Sequence, residues 1–122
     1  MSKIKVFISG NFNVIHPGHL RLLRYAKSRG DYLVIGIQSD KLAGDSAHVP
    51  EKLRLEGIKS NLFVDEAFII KNSVKKAILK IKPDIVIKGK EHEDKYNQEL
   101  EILDKIGGKL LFSSGNVSFS SF

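Results

Sequence analysis

Short apolar, β-branched runs alternate with segments of helical period along almost the whole 122-residue chain, and few folds accept that order. The runs KIKVFIS (3–9), DYLVIGIQSD (31–40), FVDEAFII (63–70), DIVIKG (84–89) and KLLFSS (109–114) read as buried strands. Between them, 19–30, 50–61, 73–82 and 96–108 read as helices, stopped by Gly30 and by Gly107-Gly108 at the ends where glycine is placed to stop them. The stretch KLAGDSAHV (41–49) has weak periodicity and several turn formers, so it reads as a loop. Strictly alternating strands and helices predict an α/β, doubly wound, five-stranded parallel sheet with crossover helices on both faces. One domain accounts for the length. The chain stops at GNVSFSSF, just after the last strand, where such a fold would normally continue into another helix; the expectation is one domain of a longer polypeptide, or a domain lacking its last helix.

The chain has no cysteine, which excludes a disulfide framework, a thiolate metal site and a cysteine nucleophile. No stretch approaches the roughly 18 apolar residues of a membrane span. The opening MSKIKVFISG runs directly into a strand and lacks a leader pattern, so a cytoplasmic protein is expected. The net charge of +6 favours anionic partners, nucleic acid or phosphorylated small molecules. The lysines of KNSVKKAILKIK (71–82) fall largely on one side of an amphipathic helix and read as a solvated face; the interleaved aromatics of single-strand binders are missing.

The segment between the first strand and the first helix, SGNFNVIHPGHL (9–20), carries two of the four histidines, His16 and His19, on either side of Pro17-Gly18. In an open parallel sheet ligands collect beyond the carboxyl ends of the strands, and a helix N-terminus there attracts phosphate through its amides and dipole. Gly10 and Gly18 would let a ligand approach the backbone closely, and Pro17 stiffens the turn. Two imidazoles held at that corner could donate hydrogen bonds to a crowded anionic phosphorus centre. The structural alternative is that they are surface or capping residues.

The stretch GNFNVIHPGH resembles the signature of the cytidylyltransferase-like nucleotidyltransferases, in which glycine, phenylalanine and a His-x-Gly-His group recur in this order: Gly10, Phe12, His16, Gly18 and His19 match. GDYLVIGIQSD (30–40) is similar to the family's second strand, RLEGIKSNLFVDE (54–66) to its arginine-led helix running into Val-Asp, and KPDIVIKGKEHE (82–93) to the Pro-Asp-x-x-x-Lys-Gly segment of heptose-phosphate adenylyltransferases and glycerol-phosphate cytidylyltransferases. GNVSFSSF (115–122) resembles the closing motif at the start of the final helix. The resemblance covers nearly the entire chain and implies a Rossmann-like fold.

It also implies an activity: a nucleotidyl group passes from CTP or ATP to a phosphorylated sugar or polyol and pyrophosphate leaves, with Mg²⁺ accompanying the triphosphate. On that resemblance His16, His19 and Arg54 are the catalytic residues. Gly10, Asn11, Phe12 and Gly18 would lie against the nucleotide, Lys88 and Gly89 against the base and ribose, and Ser118 and Ser120 against the outer phosphates. Without the resemblance Arg54 reads as an exposed helix charge, Lys88 as a solvated strand-end lysine, and the serines as helix N-caps. The chain departs from the family pattern at Asn13, where aspartate is usual, at Phe119, where threonine is usual, and in the short 41–49 loop, where Lys41 and His48 are the nearest substitutes for a substrate-binding lysine. Homodimers are common in that family, and no contact surface is marked in the sequence. A nucleotide-binding module without turnover and a basic nucleic-acid-binding domain are the competing readings; no nucleic-acid module or membrane segment is visible, and neither partner is expected.

Overall fold

A computed structural model describes residues 3–13, 17–88, 97, 99–112 and 117–118. Its elements are β1 (Lys5–Gly10), α1 (Pro17–Ser28), β2 (Tyr32–Gln38), α2 (Asp40–Ala43), a 3₁₀ turn (Gly44–Ser46), α3 (Glu51–Lys59), β3 (Glu66–Ile70), α4 (Val74–Ile81), β4 (Ile85–Lys88), α5 (Glu99–Ile106), β5 (Lys109–Phe112) and β6 (Val117–Ser118). The sheet order is β3-β2-β1-β4-β5-β6. The first five strands are parallel, as the alternation predicts, and only the two-residue β6 runs antiparallel, against β5. The expected loop at 41–49 holds instead α2 and the 3₁₀ turn, because Ser39 leaves the strand and its hydroxyl accepts the Leu42 N–H at 3.2 Å as an N-cap.

Period-two side-chain alternation splits the core across the sheet. Val6, Ile8, Leu33, Ile35 and Ile37 face one side with Leu23 and Ala26 of α1 and Ile58 of α3. Phe7, Val34, Ile70 and Val86 face the other with Ile78 of α4 and Ile102 and Leu103 of α5. Helices therefore cover both faces, as a sheet of near-continuous Val, Ile and Leu strands requires. The residue before each of three strands is an aspartate that braces the neighbouring strand. Asp31 accepts the Ile4 N–H at 2.8 Å, Asp84 the Lys5 N–H at 2.8 Å, and Asp65 the Leu33 N–H at 2.8 Å. Among the described residues no helix is long and apolar enough to cross a membrane.

One register feature places the site. β1 pairs with β2 over six positions, up to Gly10 opposite Ile37, but with β4 only at Val6–Ile85 and Phe7–Val86. The strand order reverses between β1 and β4, so their carboxyl ends, which do not pair with each other, flank the switch point at which open α/β sheets receive ligands.

Candidate functional site

The turn after β1 begins at that switch point. Gly10 is the last residue of β1, Gly18 and His19 are the second and third residues of α1, and Pro17 opens the helix where its missing N–H costs nothing. His16 lies outside the described residues, so only one of the two imidazoles is placed. Phe12 has φ 52°, the left-handed region seldom entered by a bulky side chain, and the residue is buried, 7% exposed. That ring meets the His19 ring at 5.5 Å between centroids, tilted 54°. A Cβ on Gly10 would come within 3.0 Å of Phe12 Cε2. The glycine thus makes room for the phenylalanine ring, a use the sequence reading did not foresee.

Arg54, on α3, is only 2% exposed, so the alternative of a solvated helix charge does not hold. Its Nε donates to the Val49 carbonyl at 2.7 Å. Nη1 donates to the Asn11 carbonyl at 2.9 Å and to that of Gln38 at 2.7 Å, and Nη2 to Asp40 Oδ1 at 2.7 Å. A buried cation is tolerated when its N–H groups meet acceptors in this way. Asn13 Oδ1 accepts the His48 N–H at 2.8 Å. The position where aspartate is usual therefore braces the 41–49 segment through an acceptor that asparagine retains.

Lys88 closes β4 and is not simply solvated: its Nζ donates to Asn97 Oδ1 at 2.7 Å and to Glu99 Oε2 at 2.9 Å, at the start of α5. Ser118 stands in β6, not at a helix start as the closing-motif resemblance implied; Gly89 and Ser120 lie outside the described residues. The structure therefore brings Gly10, Asn11, Phe12, His19 and Arg54 together and places Lys88 in a separate network on the other strand of the switch point. On the face covered by α4 and α5, a cavity of about 280 Å³ at the same sheet end is lined by Gln38, Leu42, Ser73, Lys75, Glu99 and Ile102, among others. Among the described residues no three His, Cys, Asp or Glu side chains converge to hold a metal ion.

The reading of sequence alone missed Asp40, Asn97 and Glu99. For Arg54 the signal was present: it precedes Ile58 by one helical turn and so falls on the apolar stripe of α3. For Asp40 there was a signal too, the Ser-Asp ending of the second-strand segment that resembles the family's, but nothing in the sequence marks Asn97 or Glu99, each identified only by the partner that folding brings to it.

The sequence profile of the cytidylyltransferase-like family matches residues 7–107. The chain is 36% identical over 96 residues to the bifunctional protein HldE of Campylobacter curvus, covering 74% of this chain and 20% of that protein. It is 39% identical over 88 residues to an FAD synthase of Ferroglobus placidus, covering 70% of this chain and 58% of the synthase. It therefore spans about a fifth of the first relative's length and less than two thirds of the second's. Among solved structures, a lipopolysaccharide core biosynthesis protein from Thermoplasma volcanium superposes with a TM-score of 0.78 at 28% identity, covering 98% of this chain and all of that one.

Proposed function

We propose that this chain, which belongs to the cytidylyltransferase-like family of nucleotidyltransferases, transfers a nucleotidyl group from CTP or ATP to a phosphorylated sugar or polyol. The observation that carries the reading is the strand–turn–helix corner at Gly10–His19, set at the switch point between β1 and β4 in a chain of this family. In the proposed step an acceptor phosphate oxygen attacks the α-phosphorus, the bond to the β-phosphoryl oxygen breaks, and pyrophosphate leaves. The protein has to hold two anions in line and stabilise the charge that builds on the α-phosphoryl oxygens. The start of α1 supplies amides and the positive end of a dipole, and His16 and His19 supply donors. Gly10, Asn11, Phe12 and Gly18 form the floor. Lys88, with Gly89 after it, meets the base and ribose from the β4 side, and Ser118 and Ser120 the outer phosphates. Magnesium enters as part of the substrate, carried on phosphate oxygens and water. The cavity beside Gln38, Lys75 and Glu99 admits the acceptor, its lysine offering a charge for an anionic group.

Calorimetric titration with MgCTP and MgATP, followed by pyrophosphate release with a panel of sugar and polyol phosphates, tests the proposal. Binding of one nucleotide and acceptor-dependent pyrophosphate support it; no binding at millimolar nucleotide rejects it. A nucleotide-binding module without turnover is the second reading, favoured by Asn13, which lacks the charge of the usual aspartate and whose oxygen is used on His48. Nucleotide binding with no pyrophosphate from any acceptor, in the full-length protein, selects it.

A further inference from the structure

We infer that Arg54 is a positioning residue for His19, acting through the Asn11 carbonyl and the Phe12 ring. The inference rests on the nucleotide reading for its consequence in binding, but not for its geometry.

Arg54 is the bulkiest of the fully buried side chains, and its guanidinium reaches four separate segments at the carboxyl edge of the sheet. Its acceptors are the turn after β1 (Asn11), the end of β2 (Gln38), the residue pair before α3 (Val49) and α2 (Asp40). The Asp40 N–H in turn donates to Glu51 Oε1 at 2.9 Å, which ties α2 to the first turn of α3. A planar fork with fixed donor directions sets the orientation of each carbonyl it meets.

The Asn11 carbonyl belongs to the peptide that leads into Phe12. Fixing that peptide fixes where Phe12 begins, and Phe12 then adopts φ 52°. A non-glycine residue stays in that region only when its surroundings over-determine it. From there the Phe12 ring fills the space beside Gly10 and tilts against His19 at 5.5 Å. The chain of contacts therefore runs from a buried cation, through one carbonyl and one left-handed residue, to the imidazole at the start of α1. Lysine cannot replace the arginine in this arrangement, because a single nitrogen cannot meet three carbonyls and a carboxylate spread around a plane.

The test uses the full chain. The His19 imidazole protons lie in the ring current of Phe12, and their resonances are assigned by comparison with His19→Gln. Phe12→Leu gives the position without the ring. In Arg54→Lys, with the fold checked by circular dichroism, the His19 resonances are expected to move toward those of Phe12→Leu, and MgATP or MgCTP binding to weaken by on the order of 10-fold. A folded Arg54→Lys variant whose His19 resonances match the wild type overturns the inference, even with a lower Tm, because a merely structural arginine moves Tm alone. If Arg54→Lys does not fold, Asp40→Ala, which removes one guanidinium acceptor on a half-exposed residue, is expected to shift the same resonances less far, and no shift overturns the inference. A wild-type chain that binds neither nucleotide rejects the proposed function, and the resonance comparison still decides this one.

Discussion

Two glycines in this chain should answer the same substitution with opposite signs. Gly36 sits in the middle of β2, where an added Cβ would fall 2.6 Å from Ile70 Cδ1 and 2.8 Å from Phe7 Cζ. Phe7 is itself fixed by stacking on Phe68 at 6.2 Å, so its ring cannot withdraw freely. Ile70 Cδ1 can rotate, which relieves one contact only. Overpacking of a filled core costs about 1–3 kcal/mol, and alanine regains a few tenths over glycine in a strand, so Gly36→Ala should lose about 1–2 kcal/mol. Gly57 lies in the second half of α3, exposed, with nothing within 4 Å of the added atom. There alanine should gain about 0.5–1 kcal/mol from helix propensity and a less flexible unfolded chain. For a domain of this size 1 kcal/mol corresponds to roughly 3–6 °C in Tm. Urea unfolding of both variants with a shared m-value would measure the difference. A Gly36→Ala variant as stable as wild type would refute the packing argument, and a destabilised Gly57→Ala would show that α3 has a neighbour not accounted for.

Further expectations concern the charged strand ends. Partial burial alone would raise the Asp65 carboxyl, but the Leu33 N–H and the Lys27 ammonium outweigh it and hold the group below the usual carboxylate range. Its stabilising effect is therefore present above about pH 4 and lost as pH falls through the lowered value; Asp65→Asn should flatten that acid limb in a pH series of unfolding midpoints. Tyr32 donates to Glu66, and this hydrogen bond, with some desolvation and the nearby acidic charges, raises its phenol above 10.0. The corresponding stability is present below pH 10 and lost as pH rises through the raised value, and ultraviolet titration of Glu66→Gln should show Tyr32 ionising earlier than in wild type. Asp84→Ala should cost about 1–2 kcal/mol in denaturant unfolding by leaving the Lys5 N–H without its carboxylate, and Asp84→Asn less, since an amide oxygen can still accept.

The fold was largely legible because the decisive signal is periodicity. Each of the runs at 3–9, 31–40, 63–70, 84–89 and 109–114 holds a strand of the parallel sheet, with residues 89, 113 and 114 outside the described residues. Local capping defeated the loop expected at 41–49: Ser39 looked like the end of a strand and is the start of a short helix. β6 was not foreseen, since two residues carry no period and their strand character depends on β5 being alongside. At the site, Gly10, Phe12, Gly18 and His19 were marked by a motif on contiguous residues. What Arg54 and Lys88 touch was not, because the Asn11, Gln38 and Val49 carbonyls and the Asn97 and Glu99 side chains are assembled from separate segments, and a backbone acceptor leaves no trace in residue identity.

The three aspartate braces at Asp31, Asp65 and Asp84 all stand at the amino ends of strands, on the rim away from Gly10 and Lys88. The braces that register the strands are thus kept at the pole opposite the proposed site. On the proposed reading, exposed Lys75 at the rim of the cavity near Gln38 can change to suit a different acceptor without touching the aspartates that register the strands, whereas Gln38, Ser73, Glu99 and Ile102 in the same lining also hold the fold.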